Sequence, residues 1–240
     1  MAARTLKFSS GLCDTVRVAE VRPRSDDALT DPNDAMKERR RRQGRALRIA
    51  GFVFLAAAVA VAGYLAWLLW GTGLTTRREQ AAIRPGFEAK VGTKDPGEAP
   101  PAEQVVKVPG KAVAILVIPR MDLDMVVVEG TGTEDLKKGP GHYSNTAYPW
   151  EDHGRVGIAG HRTTYGAPFW SLDELKPGDR ITLQTEYGIY NYRVTGTRII
   201  VPSNGSVLAQ TEKPTLVLTT CNPRFSASQR LVVLADRVNG

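Results

Sequence analysis

The stretch TLVLTTCNPRFSASQRLVVLADRV, residues 215–238, decides how this chain is read. Two Val- and Leu-rich runs, TLVLTTC (215–221) and QRLVVLADRV (229–238), flank the polar loop 222–228, the pattern of two strands in a hairpin. If they pair, Cys221 at the end of the first strand faces Arg230 at the start of the second, with Cβ atoms ~5 Å apart. A guanidinium there can lower the thiol pKa and donate to a developing oxyanion. Arg224, inside the loop, is a rival for that role, less rigidly held than a residue fixed in a strand.

Working outward, the segment from Lys111 onward repeats this short-strand pattern. AVAILVIP (112–119) and DMVVVEG (124–130) are apolar runs bounded by Pro, Gly and Asp, and DRITLQTEYGIYNYRVTG (179–196) reads as a hairpin turning at Tyr187 and Gly188. Helix is scarce. Thr133 is expected to cap one short turn, with Glu134 and Asp135 before Lys137 and Lys138, and Ser171 with Glu174 makes a second short capping box. Many short strands at close spacing predict a mainly β fold, a closed or nearly closed barrel with short helices.

Upstream, IAGFVFLAAAVAVAGYLAWLLW (49–70) runs 22 residues without a charge. As a helix it reaches about 33 Å, enough for a hydrocarbon core of about 30 Å. It is longer than a signal-peptide core and ends in Trp67 and Trp70, which fit an interfacial belt, so it reads as one uncleaved transmembrane helix. Lys37, Arg39, Arg40, Arg41, Arg42, Arg45 and Arg48 precede it. The positive-inside tendency therefore places residues 1–48 in the cytoplasm as a basic, disordered tail and everything after Gly71 outside a cell membrane crossed once. That tail holds 12 Lys and Arg against 7 Asp and Glu, a net +5 of the chain's +7, so the rest of the chain is nearly neutral and no nucleic-acid partner is expected. Residues 71–108, with Pro85, Pro96, Pro100 and Pro101 and no apolar periodicity, read as a solvated linker, leaving 109–240 as one domain.

This topology isolates Cys221 from the other cysteine, Cys13, on the far side of the membrane. An unpaired thiol in an oxidising compartment is a liability unless it is used. On residue statistics a buried structural cysteine is an equally common reading, and the facing Arg230 shifts the balance. A thiolate that expels an amine needs a proton donor, and His is the usual one. His161 follows GRVGIAG at a strand end, His142 lies in GPGHYSNTAYP, and His153 sits in a polar surface loop. Spacing favours His161 over His142 without deciding between them. Asp122, Asp124, Glu129 and Glu134 are scattered acids at strand ends, more simply solvated than calcium-binding, so no metal or cofactor is expected.

The segments GPGHYSNTAYP (139–149), RVGIAGHRTTYGAPFWSLDELKPGD (155–179) and TLVLTTCNPRFSASQRLVV (215–233) resemble the sortases, and HRTTYGAPF with TTCNPRFSASQR resembles class E in particular. Sortases are membrane-anchored cysteine transpeptidases of Gram-positive bacteria. The resemblance implies the sortase-type closed barrel and a catalytic set of Cys221, His161 and Arg230, settling His161 over His142. It further implies cleavage of a C-terminal Leu-Ala-x-Thr-Gly or Leu-Pro-x-Thr-Gly signal on a secreted protein between Thr and Gly. The acyl group then passes to an amine of a peptidoglycan precursor, and the active minority of molecules has Cys ionised and His protonated. Tyr143 is the candidate for the substrate wall that tells Ala from Pro, and Thr220 for supporting the oxyanion or lining the groove. The alternatives are a hydrolytic thiol peptidase, which needs no amine acceptor, and a tethered wall-binding barrel, which needs none of the three catalytic residues.

Overall fold

The computed structural model describes residues 32–95 and 98–238. Residues 1–31, which include Cys13 and the start of the expected tail, lie outside the described residues.

Helix α1 spans Pro32–Ala66. Its apolar part has a mean hydropathy of 2.3 with none of it buried, so by length and composition it can cross a membrane. The expected disordered tail is corrected over 32–48, which is helical. Pro32 stands at the first helical position, Lys, Arg, Glu and Gln are good helix formers, and Asp34–Lys37 (3.1 Å) and Glu38–Arg42 (3.2 Å) bridge successive turns.

A π-helical turn, Trp67–Gly71, precedes α2, Thr72–Glu88. The linker expected over 71–108 is thus corrected at its start, because α2 is packed against the barrel. Ile83, Phe87 and Val91 recur every four residues and lie on Ile115, Val126, Ala112 and Val117. The Gln80 side-chain amide acts as a strand edge would: it donates to the carbonyls of Val126 (3.0 Å) and Lys138 (2.8 Å) and accepts from the Val126 N–H (2.8 Å). Arg84 pairs with Asp124 at 2.8 Å.

The remainder is a closed eight-stranded barrel, as expected. Its strands are β1 Ala112–Ile118, β2 Leu123–Glu129, β3 Gly141–His142, β4 Arg155–Ala159, β5 Arg180–Thr185, β6 Gly188–Ile200, β7 Thr215–Asn222 and β8 Gln229–Val238, in the order β1-β2-β3-β4-β7-β8-β6-β5. The pairs β2–β3 and β4–β7 are parallel and the others antiparallel. Alternation sorts each strand into two faces: Val156, Ile158, Leu216, Leu218, Leu231 and Val233 point into the core, so their sequence neighbours point outward. The short helix α3, Thr133–Lys138, has acids in its first turn and lysines in its last, but Gly132, not Thr133, is the capping residue. Ser171 makes no side-chain cap to the single 3₁₀ turn Leu172–Glu174.

Candidate functional site

Register builds the site. Cys221 and Arg230 are direct partners in the β7–β8 ladder, and both lie on the outward face, out of phase with Leu218 and Leu231. On the other side of β7, parallel β4 matches Ala159 with Thr219, and the Gly160 N–H continues the ladder to the Thr219 carbonyl at 3.1 Å. His161 therefore leaves β4 level with Cys221 and, by the same alternation, on the same face. The structure brings Cys221, His161 and Arg230 to one end of three adjacent strands.

The turn that carries His161 is narrowly determined. A Cβ on Gly160 would stand 2.6 Å from the Phe169 ring, so only glycine fits. The Gly160 carbonyl accepts from the Thr220 hydroxyl (2.7 Å), and the His161 carbonyl from the Phe169 N–H (3.1 Å). The imidazole lies 5.0 Å from the Tyr165 ring, and its Nε2 is buried with no hydrogen-bond partner. Burial holds the His161 pKa below the ordinary imidazole value, because the charged form loses its hydration.

Three arginines lie near the Cys221 end of β7 with different commitments. Buried Arg162 donates to the Asn222 side-chain oxygen (2.7 Å) and the Cys221 carbonyl (3.3 Å), and pairs with Asp173 at 3.0 Å. Arg224 also pairs with Asp173 (3.1 Å), bonds the Trp170 carbonyl and lies 4.6 Å over the Trp170 ring. Among the described residues Arg230 donates only to the carbonyls of Ala227, in the hairpin loop, and Gln229, at the start of β8, each at 3.0 Å. Arg162 and Asp173 were missed in the sequence, although one follows His161 directly and the other sits in the expected capping segment.

Tyr143 and Thr220 fall on opposite sides of the sheet. The Tyr143 hydroxyl meets Thr219 Oγ1 at 2.9 Å on the outer face, one step below Cys221. Beneath the ring lies Gly157, where a Cβ would come within 2.9 Å of Tyr143 and 3.1 Å of Leu208, so the glycine makes room for the Tyr143 ring to lie against β4. Thr220 is buried on the inner face with its hydroxyl bound to Gly160. It is a support of the His161 turn, and the expectation that it lines the groove is corrected: its position in β7 has the phase of Leu216 and Leu218.

His142 stands apart, buried with Nδ1 3.0 Å from Glu129 and Nε2 against the Ala147 carbonyl and the Thr146 hydroxyl. Burial pushes the Glu129 carboxyl up, but bonds from His142, Ser144 and Tyr148 outweigh it and hold its pKa below the usual value. His153 is exposed. Among the described residues no group of three or more His, Cys, Asp or Glu could hold a metal ion.

A thiol, an imidazole level with it at the end of the neighbouring strand and a guanidinium across the ladder are groups whose chemistry suits thiol acyl transfer. Comparison with known proteins agrees with the fold. The Sortase domain model matches residues 116–238. Sortase D of Bacillus subtilis is 33% identical over 206 residues, spanning 80% of this chain and 98% of that protein. The solved structure of the sortase D5 transpeptidase of Clostridium perfringens superposes with a TM-score of 0.58 at 26% identity, over 68% of this chain and 99% of that one. Sortase E1 of Streptomyces coelicolor does so with a TM-score of 0.52 at 32% identity, over 56% and 92%. The chain belongs to the sortase family, with relatives in keeping with class E.

Proposed function

We propose that this sortase transpeptidase uses Cys221 as nucleophile, His161 as proton carrier and Arg230 as oxyanion partner. The observation that carries the reading is the direct Cys221–Arg230 register pair, with His161 delivered to the same level by the parallel β4–β7 pair. The substrate is a secreted protein with a C-terminal Leu-Ala-x-Thr-Gly or Leu-Pro-x-Thr-Gly signal, laid along the outer face of β4 and β7 past Tyr143. In support, the sortase E1 relative was solved with a tripeptide in its active site.

The Cys221 thiolate adds to the Thr carbonyl carbon, and the negative charge that develops on oxygen is met by the Arg230 guanidinium and backbone N–H groups. As the Thr–Gly C–N bond breaks, His161 gives its proton to the departing Gly nitrogen, leaving a thioester on Cys221. A primary amine of a peptidoglycan precursor then attacks the thioester carbon. His161 takes the amine proton, an amide forms, and the thiolate leaves. Burial of His161 makes its neutral form dominant at neutral pH, so the protonated form that serves the first step is a minority. The apolar part of α1 crosses the cell membrane once, with the basic residues before it in the cytoplasm and the barrel outside.

The test incubates the full chain in detergent with either signal peptide and an excess of a simple amine, followed by mass analysis. The reading predicts an amide of the Thr-terminated fragment and a free Gly-led fragment, and none of either from Cys221→Ala. Release of the Thr acid alone in the presence of amine would instead identify a hydrolase, and turnover by Cys221→Ala would remove the assigned nucleophile.

A further inference from the structure

The apolar run that ends at Trp70 is separated from the barrel by almost nothing. The Thr72 hydroxyl accepts a hydrogen bond from the Tyr165 N–H at 3.0 Å. Two residues span at most about 7 Å even when extended, and each headgroup layer is about 5–7 Å deep. A barrel loop is thus pinned within roughly the depth of the headgroup layer from the end of the run.

What surrounds that loop is suited to such a place. Trp170 is 41% exposed, Phe225 69% and Leu74 52%, in a barrel whose other large side chains are mostly buried. Trp170 and Phe225 meet edge to face at 6.0 Å, and with Leu74 and Arg77 they line an open groove of about 1020 Å³ between α2 and the loop 163–170. Arg224 lies over the Trp170 ring while paired with Asp173, and Arg77, which has no ion pair among the described residues, is the guanidinium left for a phosphate. Aromatic rings with arginines beside them are the composition of a membrane interface, where ring bodies enter the acyl boundary and guanidiniums meet anionic phosphates.

We infer that this face, Leu74 with Trp170 and Phe225, rests in the headgroup interface of the bilayer crossed by α1. The inference rests on the membrane-spanning part of the proposed function. Phe225 and Arg224 belong to the loop 222–228 that joins Cys221 to Arg230, so the mouth of the site works at the lipid surface.

Bromolipid quenching of single-Trp variants tests this with the full chain in anionic lipid nanodiscs. Trp67, left alone by W70F, W150F and W170F, reports on the spanning segment. Trp170, left alone by W67F, W70F and W150F, reports on the proposed face. Trp150 packs on Tyr187 in the β5–β6 turn, at the opposite end of β6 from Arg230, and serves as the control. The expected result is that Trp170 loses intensity to a degree similar to Trp67 while Trp150 keeps its own. Phe225→Trp, with all four native tryptophans replaced by Phe, gives a second reporter with the same expectation. Quenching of Trp67 alone would overturn the inference and leave the anchor standing, and no quenching of Trp67 would overturn both. A Trp170 blind to bromolipid but shifted by added signal peptide would overturn it in favour of a peptide occupant.

Discussion

Thr220→Val removes one hydroxyl and keeps the side chain's shape. Thr220 Oγ1 donates to the Gly160 carbonyl at 2.7 Å in a buried position, so valine leaves that carbonyl without its partner. Such a loss costs about 1–3 kcal/mol. The carbonyl belongs to the residue immediately before His161, and Gly160 is wedged against Phe169, so the lost bond is felt where the imidazole is aimed. If the whole cost falls on the transition state, kcat drops roughly 5- to 150-fold, at about 1.4 kcal/mol per tenfold, with KM for the signal peptide near its original value. The assay is steady-state transpeptidation with peptide and amine at saturating amine, alongside thermal unfolding. Thr220→Ser should recover most of kcat, because it restores the donor. Thr219→Val is the contrasting control: it removes the Tyr143 partner on the outer face and should act on KM. A Thr220→Val protein with reduced stability and unchanged kcat would refute the positioning argument, since the hydroxyl would then hold the fold and not the imidazole.

Tyr143→Leu is expected to change the ratio of kcat/KM between the Ala and Pro signals, measured by competition of the two peptides; an unchanged ratio removes Tyr143 from the substrate wall. Arg230→Ala should lower kcat about 100- to 1000-fold, the cost of one oxyanion donor, whereas Arg224→Ala should stay within a few-fold; equal losses would contradict the assignment. Tyr165→Ala uncovers His161, relieving the burial that depresses its pKa, so the His161 resonance should titrate at higher pH; with only three histidines in the chain NMR reads this directly, and an unmoved midpoint refutes the cause. Phe87→Ala should destabilise the packing of α2 on the barrel by about 3–5 kcal/mol, seen as faster hydrogen exchange at the Val126 amide, which donates to Gln80; exchange at the wild-type rate would mean α2 is held by its polar contacts alone.

The barrel was legible because its strands are local and strongly patterned. The hairpins 215–238 and 179–196 can each be read from neighbouring residues; the first appears where the alternation puts it, and the second turns at Glu186–Tyr187, one residue before the expected Tyr187–Gly188. Helix α2 was not legible, for a physical reason. The stripe Ile83, Phe87, Val91 has helical spacing, but Pro85 and Gly86 sit inside it and are ordinarily breakers. Here burial of Phe87 and the Gln80 bonds to one carbonyl of β2 and one of α3 supply what the local sequence lacks. The parallel β4–β7 pairing, which settles where His161 points, joins segments some 60 residues apart and leaves no local trace. Thr220 was misplaced for a simpler reason: adjacency to Cys221 along a strand means the opposite face, not the same site.

The three arginines explain why charge gathers at one point. Asp173 lies within ion-pair distance of both Arg162 and Arg224, so one carboxylate neutralises part of each guanidinium and fixes both to the loop 171–174. Those two are fastened and shape the walls: Arg162 holds the end of β7 by the Cys221 carbonyl, and Arg224 holds Trp170. Arg230, among the described residues, has only carbonyl oxygens as partners, and hydrogen bonds to an ionised oxygen are roughly twice as strong as those to a neutral one. A carbonyl therefore holds Arg230 in place without satisfying its charge. In the mechanism we propose, a thiolate or a tetrahedral oxyanion forms across the ladder from it, and the exchange of a neutral acceptor for a charged one favours that state and not the ground state. The preference comes from leaving Arg230 without a carboxylate, and the hairpin loop 222–228 contains no Asp or Glu to supply one.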